Sequence, residues 1–418
     1  MSKKHYVEVS KNVKTIWIVD KDFVPDPLPA KNRYKIFLDI PDLKVKFFCA
    51  VERSALDMCA LSTFVWNKDI NNYAEWSLIR KVKGNKFIYY ISFALAFFMK
   101  TLFVKEKPDI IVASCPDPFQ ALAGLIIAKL RKAHLVVDFR DYWPELLWQL
   151  GLLKEKSLIG RLIFWLTGLI ARNAEGIMSA EESFIKEYLK SRKADKKMVF
   201  VRENVHVKLN EHYDSTTSLS SCFVEKVKNI IRAQKRQGRK IVVMAGTLNI
   251  GPKSYEMVEN FLKKMSDNIC ILVFSSDQKF QAIFHKVYKD NFYMFQPVAK
   301  NEFLAILKSV DALLMFVENL IGSAFSSNKL FDAISIGIPV LCGVIDHSQV
   351  NKQVSQNIPG VYTFNINDIS RFKDILRAFP LQSEEVSKIL MFVRQKYLDQ
   401  VRGLSKFLEL VAERKVPE

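Results

Sequence analysis

Ser326-Ser327-Asn328-Lys329-Leu330-Phe331-Asp332, closed by Gly337-Ile338-Pro339-Val340-Leu341, reads as a helix that gives way to a buried strand. Ser327 or Asn328 suits the cap of that helix, where free N–H groups and the positive end of the dipole attract anions, and Lys329 adds a full charge. Asp332, three residues on, shares a face with Lys329 and can accept hydrogen bonds from a ribose. Gly337 stops the helix and Pro339 keeps it stopped, so Val340-Leu341-Cys342 is released as a short strand. The same residues also make an ordinary capped helix of an α/β domain with a Lys-Asp pair on its surface.

Outward from this step the pattern repeats. Short apolar runs at 15–19, 45–49, 110–113, 135–137, 176–178 and 199–201 predict strands with helical stretches between them. A second series follows at 241–244, 269–274, 293–295, 312–316 and 340–342. Two series of this kind predict two doubly wound α/β domains. The polar stretch 210–221 and the basic one after it predict the junction, giving domains at residues 1–209 and 241–380 joined by a linker at 210–240. Residues 381–418 read as a terminal helical segment, with Ile389, Val393, Tyr397, Val401, Leu404 and Leu408 at turn-compatible spacing.

Composition narrows the function. At 418 residues and 49% hydrophobic content the chain can build two sizeable cores. Cys49, Cys59, Cys115, Cys222, Cys270 and Cys342 form no CxxC pair, which argues against zinc ribbons and a disulfide framework and fits a reducing compartment. The start, MSKKHYVEVSKNVK, lacks the apolar core of a secretory signal, so a cytoplasmic protein is expected. A net charge of +18, with basic residues clustered at 190–197 and 226–240, suits an anionic membrane face or a phosphorylated ligand; it also fits two solvated lysine-rich helices. No nucleic-acid motif accompanies the charge, so nucleic acid is not expected as a partner. Residues 87–104 are nearly apolar enough to span a bilayer, but Lys100 interrupts them, and a helix packed in the domain or dipped into a bilayer surface is expected.

In open α/β sheets ligands bind beyond the carboxyl ends of the strands. Gly246 and Thr247 follow the first strand of the second domain, with Lys253 shortly after, and offer close backbone approach, a hydroxyl and a charge to phosphate oxygens. Asp138-Phe139-Arg140-Asp141-Tyr142-Trp143-Pro144-Glu145 follows the strand at 135–137; Pro144 and Glu145 fit a helix start, with Arg140, Asp141 and Trp143 at its mouth. A structural ion pair beside a packed tryptophan is the other reading of that loop. Asp20-Lys21-Asp22 is a DxD triplet, a pattern too short to predict a metal site, and the six histidines show no ligand spacing; no metal is expected. No glycine precedes Gly84, so the first strand lacks the GxGxxG loop of a dinucleotide oxidoreductase.

Taken in order, Lys-Pro-Asp-Ile-Ile-Val (107–112), Asp-Phe-Arg-Asp-Tyr-Trp-Pro-Glu (138–145), Ala-Gly-Thr-Leu (245–248) and Ser-Asn-Lys-Leu-Phe-Asp with Gly-Ile-Pro-Val (327–340) resemble glycosyltransferase family 4, above all bacterial enzymes that build O-antigen, capsule or exopolysaccharide. The resemblance implies a GT-B architecture, two Rossmann-like doubly wound domains facing a cleft, with the acceptor on the first, a nucleotide diphosphate sugar on the second and a C-terminal helix crossing back. It implies a retaining, metal-independent hexosyltransferase without a cofactor. Its partners would be the donor and a glycan or polyprenyl-linked acceptor, with peripheral contact to an anionic membrane at the inner face.

By position, the resemblance makes Ser327, Asn328, Lys329 and Leu330 donor contacts, Asp332 the carboxylate on the ribose, Gly246, Thr247 and Lys253 the facing phosphate loop, and Val298 the residue beside the base. Arg140, Asp141 and Lys329 become the catalytic candidates. The chain also departs from the family. Ala324 stands about where the first of two glutamates is usual and Asp332 replaces the second; Arg140 stands where many relatives carry a histidine; residues 25–33 replace a glycine-rich loop. An epimerase of the same architecture and a non-catalytic nucleotide-sugar binder therefore stay open beside the transferase.

Overall fold

Two series of apolar runs build two sheets in the computed structural model, which describes residues 15–21, 32–51, 63–67, 72–80, 86–115, 117–140, 142–149, 151–179, 182–202, 222–246, 254–265, 267–287, 290–318, 328–345 and 358–414. The chain divides into one unit of residues 1–203 with 398–418 and another of residues 204–397.

The first unit holds β1 (Thr15–Val19), β2 (Lys44–Val51), β3 (Thr63–Asn67), β4 (Asn72–Arg80), β5 (Ile110–Cys115), β6 (His134–Phe139), β7 (Gly176–Ser179) and β8 (Met198–Val201). Their order is β3-β4-β2-β1-β5-β6-β7-β8, parallel throughout except for β3 against β4. Parallel strands covered on both faces must be apolar along their whole length, and every residue of β5, β6 and β7 is buried. Phe48 meets a tilted Trp17 ring at 5.3 Å and the edge of Phe97 at 5.1 Å between centroids, which ties β1 and β2 to a covering helix. That helix is α1 (Lys86–Leu102); the unit also holds α2 (Pro118–Arg131), α3 (Glu145–Gln149), α4 (Leu158–Asn173) and α5 (Glu182–Ser191). The apolar stretch at 87–104 thus forms a 17-residue helix that buries Phe93, Ala94, Phe97 and Thr101, and no helix among the described residues is long and apolar enough to cross a membrane.

The second unit begins with α6 (Cys222–Arg236), followed by β9 (Lys240–Ala245), α7 (Ser254–Lys263), β10 (Ile269–Phe274), α8 (Gln278–Lys286), β11 (Phe292–Phe295), α9 (Lys300–Leu307), β12 (Ala312–Val317), α10 (Asn328–Ile334), β13 (Val340–Val344), β14 (Val361–Asn365) and α11 (Ile369–Arg377). The sheet runs β11-β10-β9-β12-β13-β14, all parallel. Counted from β9 this is the order 3-2-1-4-5-6 of dinucleotide-binding folds, in which the chain reverses its direction of winding between β9 and β12.

Several expectations change. Residues 222–236, placed in a linker by composition, form α6, which buries Val224, Val227 and Ile231 against its own unit while Lys226, Arg232 and Lys235 face water. The basic charge here is that of a solvated helix face. Strands β3, β4 and β14 were not expected. Each is an edge strand or the partner of one, where alternation with polar residues hides the apolar run.

The last helix, α12 (Ser383–Ala412), is 30 residues long. Its residues up to Tyr397 belong to the second unit, where Val386 fills the space a side chain on Gly337 would need. From Leu398 on it belongs to the first unit, where Phe407 stacks on Phe200 with centroids 5.5 Å apart. Phe407 is 4% exposed. Phe407→Ala leaves a cavity there and is expected to cost about 3–5 kcal/mol, read as a lower urea midpoint of the full chain; an unchanged midpoint would show that this half of α12 adds nothing to the first unit.

Candidate functional site

The second sheet opens where its winding reverses, between β9 and β12. Gly246 leaves β9 with φ 76°, a left-handed turn, and its N–H donates to the carbonyl of Phe274 at 2.8 Å. Lys329 arrives from the other side of the reversal, in the first turn of α10. Its ammonium lies against the bare Cα of Gly246, so a Cβ at residue 246 would push the end of the lysine away. The two residues, far apart in sequence, are thereby brought together at the carboxyl edge, as the position of their loops predicts.

The electrostatics of Lys329 are unusual for a lysine. Burial pushes its pKa down from the ordinary 10.5, and no carboxylate among the described residues pairs with it. Asp332, one turn on, is not its partner: the Asp332 carboxylate pairs with Lys300 at 2.7 Å. Burial raises the Asp332 pKa, and Lys300 opposes that shift. Lys300 opens α9 directly after Gln296-Pro297-Val298-Ala299, so the ion pair ties the Val298 loop to α10. Leu330 is fully buried and, with Phe331, anchors α10 in the core. A polar sheet edge therefore rests on an apolar floor.

Helix α10 is described over seven residues, Asn328–Ile334, and Gly337 ends its last turn with φ 78°. Ser327, Thr247, Lys253 and Asp141, together with Ser326 and the side chain of Asn328, lie outside the described residues. The capping expected of Ser327 or Asn328 falls among them.

At the carboxyl edge of the first sheet the charges are paired. Arg140, just past β6, donates to the carboxylate of Asp20, just past β1, at 2.8 Å; the two side chains are 14% and 1% exposed. Lys21 pairs with Asp117 at 2.5 Å and lies 4.4 Å from the Tyr90 ring centroid. The Tyr34 hydroxyl donates to Asp138 at 2.8 Å, and the Tyr142 and Ser179 hydroxyls meet at 2.6 Å. Trp143 is held through its carbonyl, which accepts from Tyr188 and Arg192, while Arg192 also pairs with Glu145 at 2.8 Å. This network fixes the loops at the carboxyl edge of the first sheet. It gives Arg140 a structural partner, and it engages the first carboxylate of the DxD triplet with a cation. Among the described residues no group of three His, Cys, Asp or Glu side chains is placed to hold a metal ion.

Sequence reasoning missed Lys300, Asp117 and the role of Asp20 and Lys21. A signal existed, since each lies a few residues past an apolar run, but their partners are distant: Asp20 and Arg140 stand 120 residues apart.

Neither a protein-family model nor a curated protein matches the chain. Solved structures do. Sucrose-phosphate synthase from Thermosynechococcus elongatus superposes with a TM-score of 0.61 at 10% identity, over 94% of this chain and 97% of that one. HepE from Anabaena, solved in complex with UDP-glucose, gives 0.57 at 10% identity over 96% and 98%. A UDP-N-acetylglucosamine 2-epimerase gives 0.51 at 14% identity over 91% of each chain. Such identities speak for the fold alone, and the fold is GT-B: an α/β protein of two Rossmann-like, doubly wound domains.

Proposed function

We propose that the chain is a glycosyltransferase that moves a sugar from a nucleotide diphosphate sugar to a glycan acceptor, and that the Lys329 ammonium on Gly246 binds the diphosphate. The observation that carries this reading is the Lys329 charge at the winding reversal of the second sheet, with which no carboxylate among the described residues pairs. A buried cation without a carboxylate is costly in the free protein, and an anionic ligand offsets that cost. As the sugar leaves, negative charge grows on the diphosphate, and a cation already in place stabilises the transition state more than the ground state. In this reading Asp332, held by Lys300, accepts hydroxyl hydrogens of the nucleoside, and Val298 lies beside the base, as the resemblance implies. HepE was solved with UDP-glucose, so a uridine nucleotide is the first donor class to test.

In this reading the acceptor is a lipid-linked glycan of bacterial surface polysaccharide, O-antigen, capsule or exopolysaccharide, met at the inner face of the membrane. Transfer is retaining and metal-independent, as the resemblance to glycosyltransferase family 4 implies. Incubation with labelled UDP-sugars and membrane lipid extract tests it. Lipid-soluble label supports transfer, isomerised donor supports an epimerase, and binding without turnover supports a non-catalytic binder.

Lys329 gives two sharper expectations. Its depressed pKa means the folded chain binds that proton less tightly than the unfolded chain, so the charge lowers stability at neutral pH and the loss is recovered as pH rises toward 10.5. Lys329→Met removes the charge. It should raise the melting temperature of the free protein by a few degrees and abolish the stabilisation by UDP, which at a hundred times Kd amounts to about 2.7 kcal/mol in the wild type. Stabilisation by UDP that survives in Lys329→Met would remove the assignment.

The second expectation concerns pH. Diphosphate binding needs Lys329 charged, so UDP affinity in titration calorimetry should begin to fall below the ordinary lysine value of 10.5. Lys329→Arg keeps its charge throughout and should lose this dependence. Equal pH profiles for the two proteins would exclude the lysine as the titrating group.

A further inference from the structure

Large apolar side chains that stay in water are unevenly placed in this protein. Among the described residues they lie between Phe87 and Trp165, apart from Leu390, Met391 and Leu410 on α12, and none falls between Cys222 and Arg377. Helix α4 carries the densest group. Its inner face is buried through Ile163, Leu166 and Ile170. Leu158, Ile159, Leu162 and Trp165 form a second apolar stripe, 53–82% exposed, at the positions where a water-facing helix carries polar residues.

Helix α1 repeats the arrangement. Phe93 and Phe97 point into the unit, whereas Leu95, Met99 and Leu102 point out, and Phe103 just past its end is 81% exposed. Helix α2 packs against both α1 and α4 and adds Ile126 and Leu130. Three neighbouring helices thus present one apolar face, which is more than the scattered exposure normal for a soluble surface.

Charge selects what covers this face. Helices α1, α2 and α4 contain no aspartate or glutamate, whereas Lys100, Lys129, Arg161 and Arg172 are exposed on them. Lys154 and Lys156 precede α4, and Lys105 and Lys107 follow α1. Of the two acids in these flanks, Glu106 is paired with Lys44 at 2.6 Å and Glu155 stands between two lysines. A second copy of the chain docked symmetrically on this face would oppose cations to cations. Anionic lipid headgroups oppose them with the opposite charge and lay hydrocarbon beneath the leucines and the tryptophan.

We propose that the outer face of α1, α2 and α4 docks on an anionic bilayer surface. Docking stands on this face alone; its use, to meet a lipid-linked acceptor, rests on the function proposed above. The geometry suits that use. Phe87 at the start of α1 packs on Phe119 at the start of α2, centroids 5.2 Å apart, and the Tyr89 hydroxyl donates to the Lys21 carbonyl at 3.4 Å. The exposed Phe87 and Ile88 therefore border the carboxyl edge of the first sheet, and docking brings that edge to the lipid surface.

Co-sedimentation of the full chain with vesicles tests this, using phosphatidylcholine alone and phosphatidylcholine mixed with phosphatidylglycerol. The wild type should bind the anionic vesicles, more weakly as salt rises, and far less the neutral ones. The pairs Leu162→Asp/Trp165→Asp and Leu95→Asp/Met99→Asp should each cut partitioning by roughly tenfold or more, with the UDP-induced rise in melting temperature retained. Where an aspartate pair lowers the melting temperature of the free protein, the corresponding serine pair decides. No binding to anionic vesicles overturns the proposal, as does binding that neither pair weakens, or a wild-type dimer in light scattering that the pairs dissociate. Vesicle binding that persists in a protein with no response to UDP leaves docking in place and removes the donor site instead.

Discussion

A parallel sheet has its faces covered by helices, so its only open ground is the edge where strands end, and a ligand can enter only where the chain reverses its winding. In the second unit that place falls between β9 and β12. What stands there is decided by one missing side chain. Because residue 246 is glycine, the chain can leave β9 in a left-handed turn and the Lys329 ammonium can lie on its backbone. A larger residue would strain the left-handed turn and push the flexible end of Lys329 away. The apolar run of β9, the turn at Gly246 and the buried Leu330 and Phe331 that seat α10 are parts of one arrangement, and its outcome is a cation held at the sheet edge.

The two sheet edges differ in how they treat charge. In the first unit Arg140 has Asp20, Lys21 has Asp117 and Arg192 has Glu145. Buried pairs of this kind cost desolvation and return little net stability, but removing one partner is expensive, so they hold loops in one geometry. In the second unit Asp332 is answered by Lys300, while Lys329 is answered by no carboxylate among the described residues. An unpaired buried cation is a poor way to stabilise a fold and a good way to await an anion. The contrast separates Arg140 from Lys329, which share a charge and a place just past an apolar run. Arg140 is held by a carboxylate; Lys329, among the described residues, is not.

Most of the strands were legible because parallel, doubly covered strands must be apolar at every position: the run at 269–274 coincides with β10, and that at 15–19 with β1. Strands β3 and β14 lie at the edges of their sheets, and β14 reads Val-Tyr-Thr-Phe-Asn with only Val361 and Phe364 buried. Periodicity over five residues does not separate such a strand from a loop. Lys329 and Gly246 were legible singly, each from its loop, and the topology joined them. The pairing of Asp20 with Arg140 was not legible, since nothing in either loop points to the other.

The net charge of +18 shows the same limit from another side. In α6 the lysines and arginines alternate with Val224, Val227 and Ile231, which are buried, so the cations lie on the outer face, where Lys228 and Arg232 meet Glu225 and Lys235 meets Asp311. In α4 the apolar residues fill the inner face and then continue across the outer one, so Arg161 stands among exposed leucines and a tryptophan. A sequence count gives both helices as basic and treats them alike. What distinguishes them is whether apolar area remains after the core is satisfied, because a cation beside such area gains from an anionic surface that also offers hydrocarbon, whereas a cation over a fully buried stripe gains only from the charge. Seen this way the excess charge has two origins, a solvated face on the second unit and a partner-seeking face on the first.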